Sequence, residues 1–237
     1  MNNDIKVSVI IPTYNRLDFL VKTIESIKKQ TYKKIEIIVI NDCSTDKNYY
    51  THDWSGVNII HLDKNSKHKF GYPCVGYVRN VGISIAEGKY IAFCDDDDIW
   101  FPDKIKLQLK AMKKSKCQMC STEGVSGRGF YNKNKKYPKH LQEFLYKRLQ
   151  KIFAHKGYIL DKFPNKLNLK LINKHNIIIC SSVLMKKDLL NKIDNMPFKR
   201  RGQDWVCWKK ALKYTDCIFV KEVCMYRDRG HGHGSNH

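Results

Sequence analysis

The stretch YIAFCDDDDIWFPDK, residues 90–104, changes character twice: an apolar run gives way to four consecutive carboxylates, Asp95, Asp96, Asp97 and Asp98, and then turns apolar again. The apolar run reads as a buried strand, and Pro102 suits the first position of a following helix. Four adjacent carboxylates repel one another unless a cation, protons or solvent screens them. Two readings stand at this point. One is an acidic, solvated turn, which is common. The other is a divalent-cation site, because magnesium and manganese share oxygen ligands between one or two carboxylates and a phosphate-bearing substrate.

Upstream, KVSVIIPTYNR at residues 6–16 is a β-branched strand halted at Pro12, and Leu17, Leu20, Val21, Ile24 and Ile27 follow at helical spacing. IEIIVI, residues 35–40, is a second strand ending in NDCSTD, and VNIIHL at 57–62 is a third. Val75, Val78, Ile85 and Ala86 predict a helix over 75–87 that stops at Gly88. Strands alternating with helices specify an α/β domain with a largely parallel sheet, whose ligands lie outside the carboxyl ends of the strands. The loops PTYN, NDCSTD and CDDDD therefore converge on one crevice. Neither G-x-G-x-x-G nor G-x-x-x-x-G-K-S/T occurs, which argues against a dinucleotide dehydrogenase and a P-loop NTPase.

Downstream, FPDKIKLQLKAMKK reads as a basic helix from Pro102, CQMCST as a short strand and residues 123–139 as a long loop. Residues 140–155 place Leu141, Phe144, Leu145, Leu149, Ile152 and Phe153 on one face; a helix packed on the core is favoured over one lying on a membrane. NIIICSSVLM is a further strand and QDWVCWKKALKY a further amphipathic helix.

A chain of 237 residues with 42% apolar content builds one packed domain, residues 1–237. MNNDIK does not read as a signal peptide and no apolar run approaches the ~20 residues of a membrane span, so the expected location is cytoplasmic and the nine cysteines are expected as thiols. Cys117 and Cys120 form a lone C-x-x-C, a weak zinc or redox signal. The net charge of +21 is uneven: residues 104–176 carry 19 Lys/Arg against 3 Asp/Glu, whereas residues 1–103 carry 13 against 14. Such a concentrated excess implies an anionic partner, whether nucleic acid, an acidic membrane surface or a phosphorylated acceptor, unless it reflects a lysine-rich genome.

Taken together, VSVIIPTYNR, IEIIVINDCSTD, RNVGISIAEGKYIAFCDDDDIWFPDKI and RGQDWVCWKKAL resemble the family 2 glycosyltransferases in order and spacing. The resemblance implies a GT-A fold, a Rossmann-like nucleotide-binding sheet flanked by helices, with a nucleotide-sugar half over 1–110 and a basic, partly helical acceptor half over 111–237. It implies inverting transfer of a sugar from a nucleotide-sugar, UDP favoured, to a glycan or lipid-linked acceptor in bacterial surface-glycan assembly, assisted by Mn2+ or Mg2+. Carried onto this sequence, Asp97 meets the metal, Asp95 lies near the ribose or the metal's water shell, and Asp96 fills the variable place, with a slip to Asp96 or Asp98 open. Pro12, Thr13, Tyr14 and Arg16 lie along the nucleotide, Asp42 bonds the uracil imide, and Arg79 faces the nucleotide. Asp204 supplies the general base, although Gln203 stands where the family has glutamate. Gly82 allows close helix approach. Ser181 and Ser182 line the acceptor side or are buried strand serines, and the C-terminal YRDRGHGHGSNH is either a basic, histidine-bearing loop that closes over the pyrophosphate, with His231 or His233 as a further metal ligand, or a frayed tail. The alternatives are a nucleotide-sugar-forming nucleotidyltransferase, which calls for a glycine-rich loop where PTYNR stands, and a basic nucleic-acid binder, which four clustered aspartates oppose.

Overall fold

The computed structural model describes residues 5–230, so His231 and His233 lie outside the described residues. The chain forms β1 Val7–Thr13, α1 Leu17–Lys28, β2 Ile35–Asn41, α2 Asn48–Thr51, β3 Asn58–His61, α3 Ser66–Phe70, α4 Val75–Ile85, β4 Tyr90–Phe93, β5 Ile99–Trp100 and α5 Lys104–Ser115. It continues with β6 Met119–Gly127, a π-helical turn His140–Phe144, α6 Tyr146–Ala154, β7 Lys166–Leu167, α7 Leu169–Lys174 and a 3₁₀ turn Cys180–Ser182. The last elements are β8 Leu184–Lys186, α8 Lys187–Lys192, α9 Gln203–Ala211 and β9 Cys217–Asp228.

One sheet runs in the order β3-β2-β1-β4-β8-β6-β9-β5, with β7 bonded to β9. The first four strands are parallel, β8 is antiparallel to both β4 and β6, β6 and β9 are parallel, and β5 is antiparallel to β9. Helices cover both faces, which is why β1 is apolar on both: Ile10 belongs to one core cluster with Val78, Phe153 and Trp208, whereas Val9 and Ile11 belong to another with Leu20, Ile24 and Ile105. Gly82 lets α4 lie close on the sheet, since a Cβ there would stand 2.7 Å from Ile10 Cγ2. All nine cysteines are unbridged. Among the described residues no helix is long and apolar enough to cross a membrane.

The elements after residue 110 differ from their sequence readings. The expected loop over 123–139 begins later, because β6 continues to Gly127 against β9, a strand absent from the sequence reading. The expected helix over 140–155 starts as a π turn. There the wholly buried Glu123 carboxylate accepts the N–H groups of Leu141 and Gln142 at 3.0 and 2.9 Å and the Gln142 side-chain amide at 3.1 Å. Its apolar face packs inward through Leu141, Leu149 and Phe153, leaving Phe144 exposed. NIIICSSVLM is broken by the 3₁₀ turn, where Ser182 Oγ donates to the Ile179 carbonyl. The basic helix after Pro102 hides one of its lysines: Lys104 is wholly buried, its Nζ 3.8 Å from the Trp100 ring centroid and donating to Gln108 Oε1, and burial pushes its pKa down to about 8.

Candidate active site

The acidic turn sits at the carboxyl end of β4 and is held from every side. Asp98 N–H donates to the Asp95 carbonyl, and the Thr23 hydroxyl from α1 lies 2.9 Å from the carbonyl oxygens of both Asp96 and Asp98. Ser181 Oγ accepts the Asp95 N–H, and the Ser181 carbonyl accepts Trp100 Nε1. Ser181 and Ser182 are thus spent behind the turn and do not line the cavity, which matches the buried-serine reading and not the acceptor-side one.

The four carboxylates have four environments. Asp96 is wholly buried, 2.7 Å from Arg16 Nη2, and accepts from Thr13 Oγ1 at 2.7 Å. Because Thr13 spends its proton on Asp96, Tyr49 O–H must donate to Thr13; the Tyr49 oxygen in turn accepts the Arg16 N–H at 2.8 Å. Asp97 meets Arg16 Nη1 at 3.0 Å. Asp98 accepts the Asp228 N–H at the end of β9. Asp95 is the accessible one, 39% exposed, and meets Arg79 Nη2 at 2.5 Å. Burial raises the pKa of Asp96, Asp97 and Asp98, most strongly for Asp97, to which Asp98, Asp96 and Asp95 add like-charge repulsion against the opposing pull of Arg16.

A cavity of about 670 Å³ joins this turn to the remaining candidates. It is lined by Pro12, Thr13, Arg16, Asp42, Arg79, all four aspartates, Gln203 and Asp204; Tyr14 is outside the lining. Asp42 already accepts from Ser66 N–H at 2.7 Å and Ser66 Oγ at 2.6 Å, and its pKa is raised by burial. Arg79 is 4% exposed, and its Nε and Nη1 find no hydrogen-bond partner among the described residues, so two buried donors stand ready for an anion. Asp204 stands in the first turn of α9, after Gly202 at φ 69°, with its Oδ2 3.2 Å from Asn176 Nδ2. The α9 backbone is pinned behind it by Trp205 Nε1 on the Ile172 carbonyl and by the buried Trp208.

Several cavity residues had no assigned role in the sequence. Arg200 and Arg201 precede the Gly-Gln-Asp-Trp segment, and their pairing was the available signal. His140 and Asn176 come from two separate segments, with no spacing to connect them, and Arg227 lies in the basic stretch YRDRGHGHGSNH. Arg227 Nη1 donates to His140 Nε2 at 2.8 Å, and His140 Nδ1 bonds Ser126 Oγ.

The resemblance implies a divalent cation, and the donor chemistry fits one. Among the described residues no group of three or more His, Cys, Asp or Glu is arranged to hold a metal. Magnesium and manganese commonly take one or two protein carboxylates and complete their shell with substrate phosphates and water. Asp95 and Asp97 supply two hard oxygen donors, and the repulsion raising Asp97 is what a cation relieves.

The family model described as glycosyl transferase family 2 matches residues 8–194. TuaG of Bacillus subtilis, a glycosyltransferase assigned by name to teichuronic acid biosynthesis, is 30% identical over 92% of this chain and 77% of its own length. WfaP of Escherichia coli, named a UDP-Glc:alpha-D-GlcNAc-diphosphoundecaprenol beta-1,3-glucosyltransferase, is 32% identical over 87% of this chain and 70% of its own length. A mannosyltransferase of Pyrobaculum calidifontis, solved in complex with GDP-Man and Mn2+, superposes with a TM-score of 0.66 at 18% identity, covering 96% of this chain and 59% of that one. The chain spans about 60% of the length of such solved chains. At this identity the superposition establishes the GT-A fold alone.

Proposed function

The chain belongs to glycosyl transferase family 2 and is an enzyme of the glycosyltransferase class; from that premise we propose an inverting, metal-assisted transfer of a sugar from a nucleotide-sugar, UDP favoured, to an acceptor hydroxyl in bacterial surface-glycan assembly. The observation that carries it is one cavity with the acidic turn and Asp204 both in its wall. Family membership sets aside the nucleotidyltransferase alternative.

In this mechanism Asp204 takes the proton of the acceptor hydroxyl as its oxygen attacks the anomeric carbon. The new carbon–oxygen bond forms on the face opposite the old one, which breaks with its electron pair passing to the nucleoside diphosphate, so configuration inverts. Asp95 and Asp97 would hold Mn2+ or Mg2+, whose chemistry there is neutralisation of charge on the leaving diphosphate. The unpartnered donors of Arg79 act on the same charge from a buried position. Thr13 and Arg16 hold Asp96 and Asp97 in place before substrate arrives, and Pro12, Thr13 and Asp42 form the nucleotide side of the wall, with Tyr14 following in the same loop outside it.

WfaP is named for an acceptor borne on a diphosphate lipid, and the basic excess over residues 104–176 suits an anionic acceptor or acidic membrane surface. The expected setting is the cytoplasmic side of that membrane, with peripheral contact. A panel of nucleotide-sugars with Mn2+, read as nucleoside diphosphate release, tests the reading. Asp204→Asn and Asp97→Ala should both lose turnover, and full activity in both would overturn the site assignment.

A further inference from the structure

Five arginines stand in the cavity wall, and they are held differently. Arg16 pairs with Asp96 and Asp97, Arg79 pairs with Asp95, and Arg227 donates to His140 and lies in the field of Asp98. Arg200 and Arg201 are exposed, and among the described residues neither guanidinium has a hydrogen bond or an ion pair.

The backbone that carries these two is, by contrast, fixed. Met196 exchanges two hydrogen bonds with the Asn80 side chain of α4, its N–H donating to Oδ1 at 3.0 Å and its carbonyl accepting from Nδ2 at 2.9 Å. Tyr72 O–H reaches the Phe198 carbonyl at 3.3 Å, and the Pro197 carbonyl lies so near α4 that a Cβ on Gly76 would stand 2.4 Å from its oxygen. Two planar forks on a fixed backbone can take phosphate oxygens without first breaking an internal pair.

What lies beyond the arginines narrows the anion. Phe198, 50% exposed, packs against Phe70 and Tyr77 with ring centroids 5.4 and 5.8 Å away, and none of the three rings lines the cavity. Pro73 and Val75, in the wall, join that aromatic surface to it. No Asp or Glu occurs in residues 64–86 or 195–203, the two segments that build this rim, so neither segment cancels the charge of the arginines. Within one short stretch of chain the order is therefore Asp204 and then Arg201 and Arg200 in the wall, with the aromatic surface of Phe198 outside it. A ligand whose hydroxyl reaches Asp204 meets first two cations and then an apolar face, which is the order sugar, phosphates, hydrocarbon. A free anionic glycan has no part for the apolar face.

We propose that Arg200 and Arg201 bind the diphosphate of an acceptor sugar carried on a lipid, and that Phe198, with Phe70 and Tyr77, receives the first part of its hydrocarbon chain. The assignment rests on the transferase reading, in which Asp204 takes the acceptor proton. Calorimetric titration with farnesyl diphosphate, run with the donor side filled by saturating UDP and Mn2+, reads the subsite. Arg200→Met combined with Arg201→Met should weaken farnesyl diphosphate binding by ~10-fold or more, in the range for loss of charge-assisted contacts. The corresponding double change to Lys, which keeps the charge and loses the fork, should weaken it less. Phe198→Ser should weaken farnesyl diphosphate by ~5-fold and leave inorganic pyrophosphate unchanged, because only the former has a chain to bury. UDP affinity, titrated separately, should hold in every variant and so reports that each is folded. Unchanged affinity for farnesyl diphosphate in the double Met variant would overturn the proposal. So would an equal loss for UDP, which would give the arginines to the donor, or a loss toward phosphatidylglycerol vesicles with none toward farnesyl diphosphate, which would make them a membrane contact only. The transferase reading fails separately, if the wild-type protein releases no nucleoside diphosphate from any nucleotide-sugar, and the farnesyl diphosphate titration still returns its answer without UDP.

Discussion

The two halves of the sheet are held together by different means. In the first half, expected to hold the donor, β1 to β4 are parallel neighbours joined through helices, and apolar side chains fill both faces of the strands, Ile10, Ile38 and Ile40 on one and Val9, Ile11 and Val39 on the other, with the polar network gathered at the strand ends. On the acceptor side, β6 and β9 pair across a long excursion of chain, and single buried polar groups fix the geometry, among them Glu123 under the π turn and Gln108, which donates to the Ser182 carbonyl. Volume errors should therefore damage the donor side, whereas loss of one acceptor should damage the other.

The largest expected effect tests the chemistry that divides between them. Asp204→Asn, on the acceptor side, should lower turnover by ~10³-fold, roughly 4 kcal/mol of barrier, and leave UDP binding intact. Asp97→Ala, on the donor side, should lose turnover and metal-dependent UDP binding together; equal nucleotide affinities in the two variants would erase the contrast. Next is Glu123→Leu, which strands the N–H groups of Leu141 and Gln142 and should cost about 3 kcal/mol in urea unfolding. Gly82→Ala pushes a methyl into Ile10 on the donor side and should cost about 1–3 kcal/mol by overpacking alone. A thermal scan showing Gly82→Ala to be neutral would break the claim that volume governs that half.

The smallest effect is a gain. Lys104 has its folded pKa lowered to about 8 from 10.5, so burial disfavours its protonated form. Below pH 8 both states carry the proton and the folded state bears the full desolvation cost. Between about 8 and 10.5 the unfolded chain binds more protons, and stability rises with pH; above 10.5 the cost is gone. Lys104→Met should therefore stabilise by about 1 kcal/mol at pH 7, an advantage that fades toward pH 10.5. An advantage independent of pH would show that packing, not charge, is responsible.

The same division explains what could be read from the sequence. The donor-side strands were visible because burial on both faces requires unbroken β-branched runs, and the turn after each is marked by Pro12, Asn41-Asp42 or the aspartates. The expected contributors Thr13, Arg16, Asp42, Arg79, Asp95, Asp96, Asp97 and Asp204 do share one cavity. β9 escaped because its burial does not alternate: its pairing with β6 shifts register around Glu123, and Lys221 and Glu222 interrupt its apolar pattern. His140 escaped because a neutral histidine holding an arginine has no motif; only the fold brings it to Arg227. Tyr49, buried beneath the nucleotide loop, gave no signal in DKNYY beyond an aromatic beside a turn.

The β6–β9 pairing has a consequence for how such a chain changes over generations. From Met119 beside Cys217 to Gly127 beside Asp228, the two strands clasp the root of everything between them, including α6, α7 and the helix bearing Asp204. With the root closed by hydrogen bonds, the entropy of the enclosed span grows only logarithmically, about 0.6 kcal/mol for each doubling of its length. Insertions and deletions in the exposed turns of that span, such as residues 132–136, are therefore cheap, whereas β8, the buried faces of α6 and α9 and the helix start that carries Asp204 stay fixed by the sheet and the core.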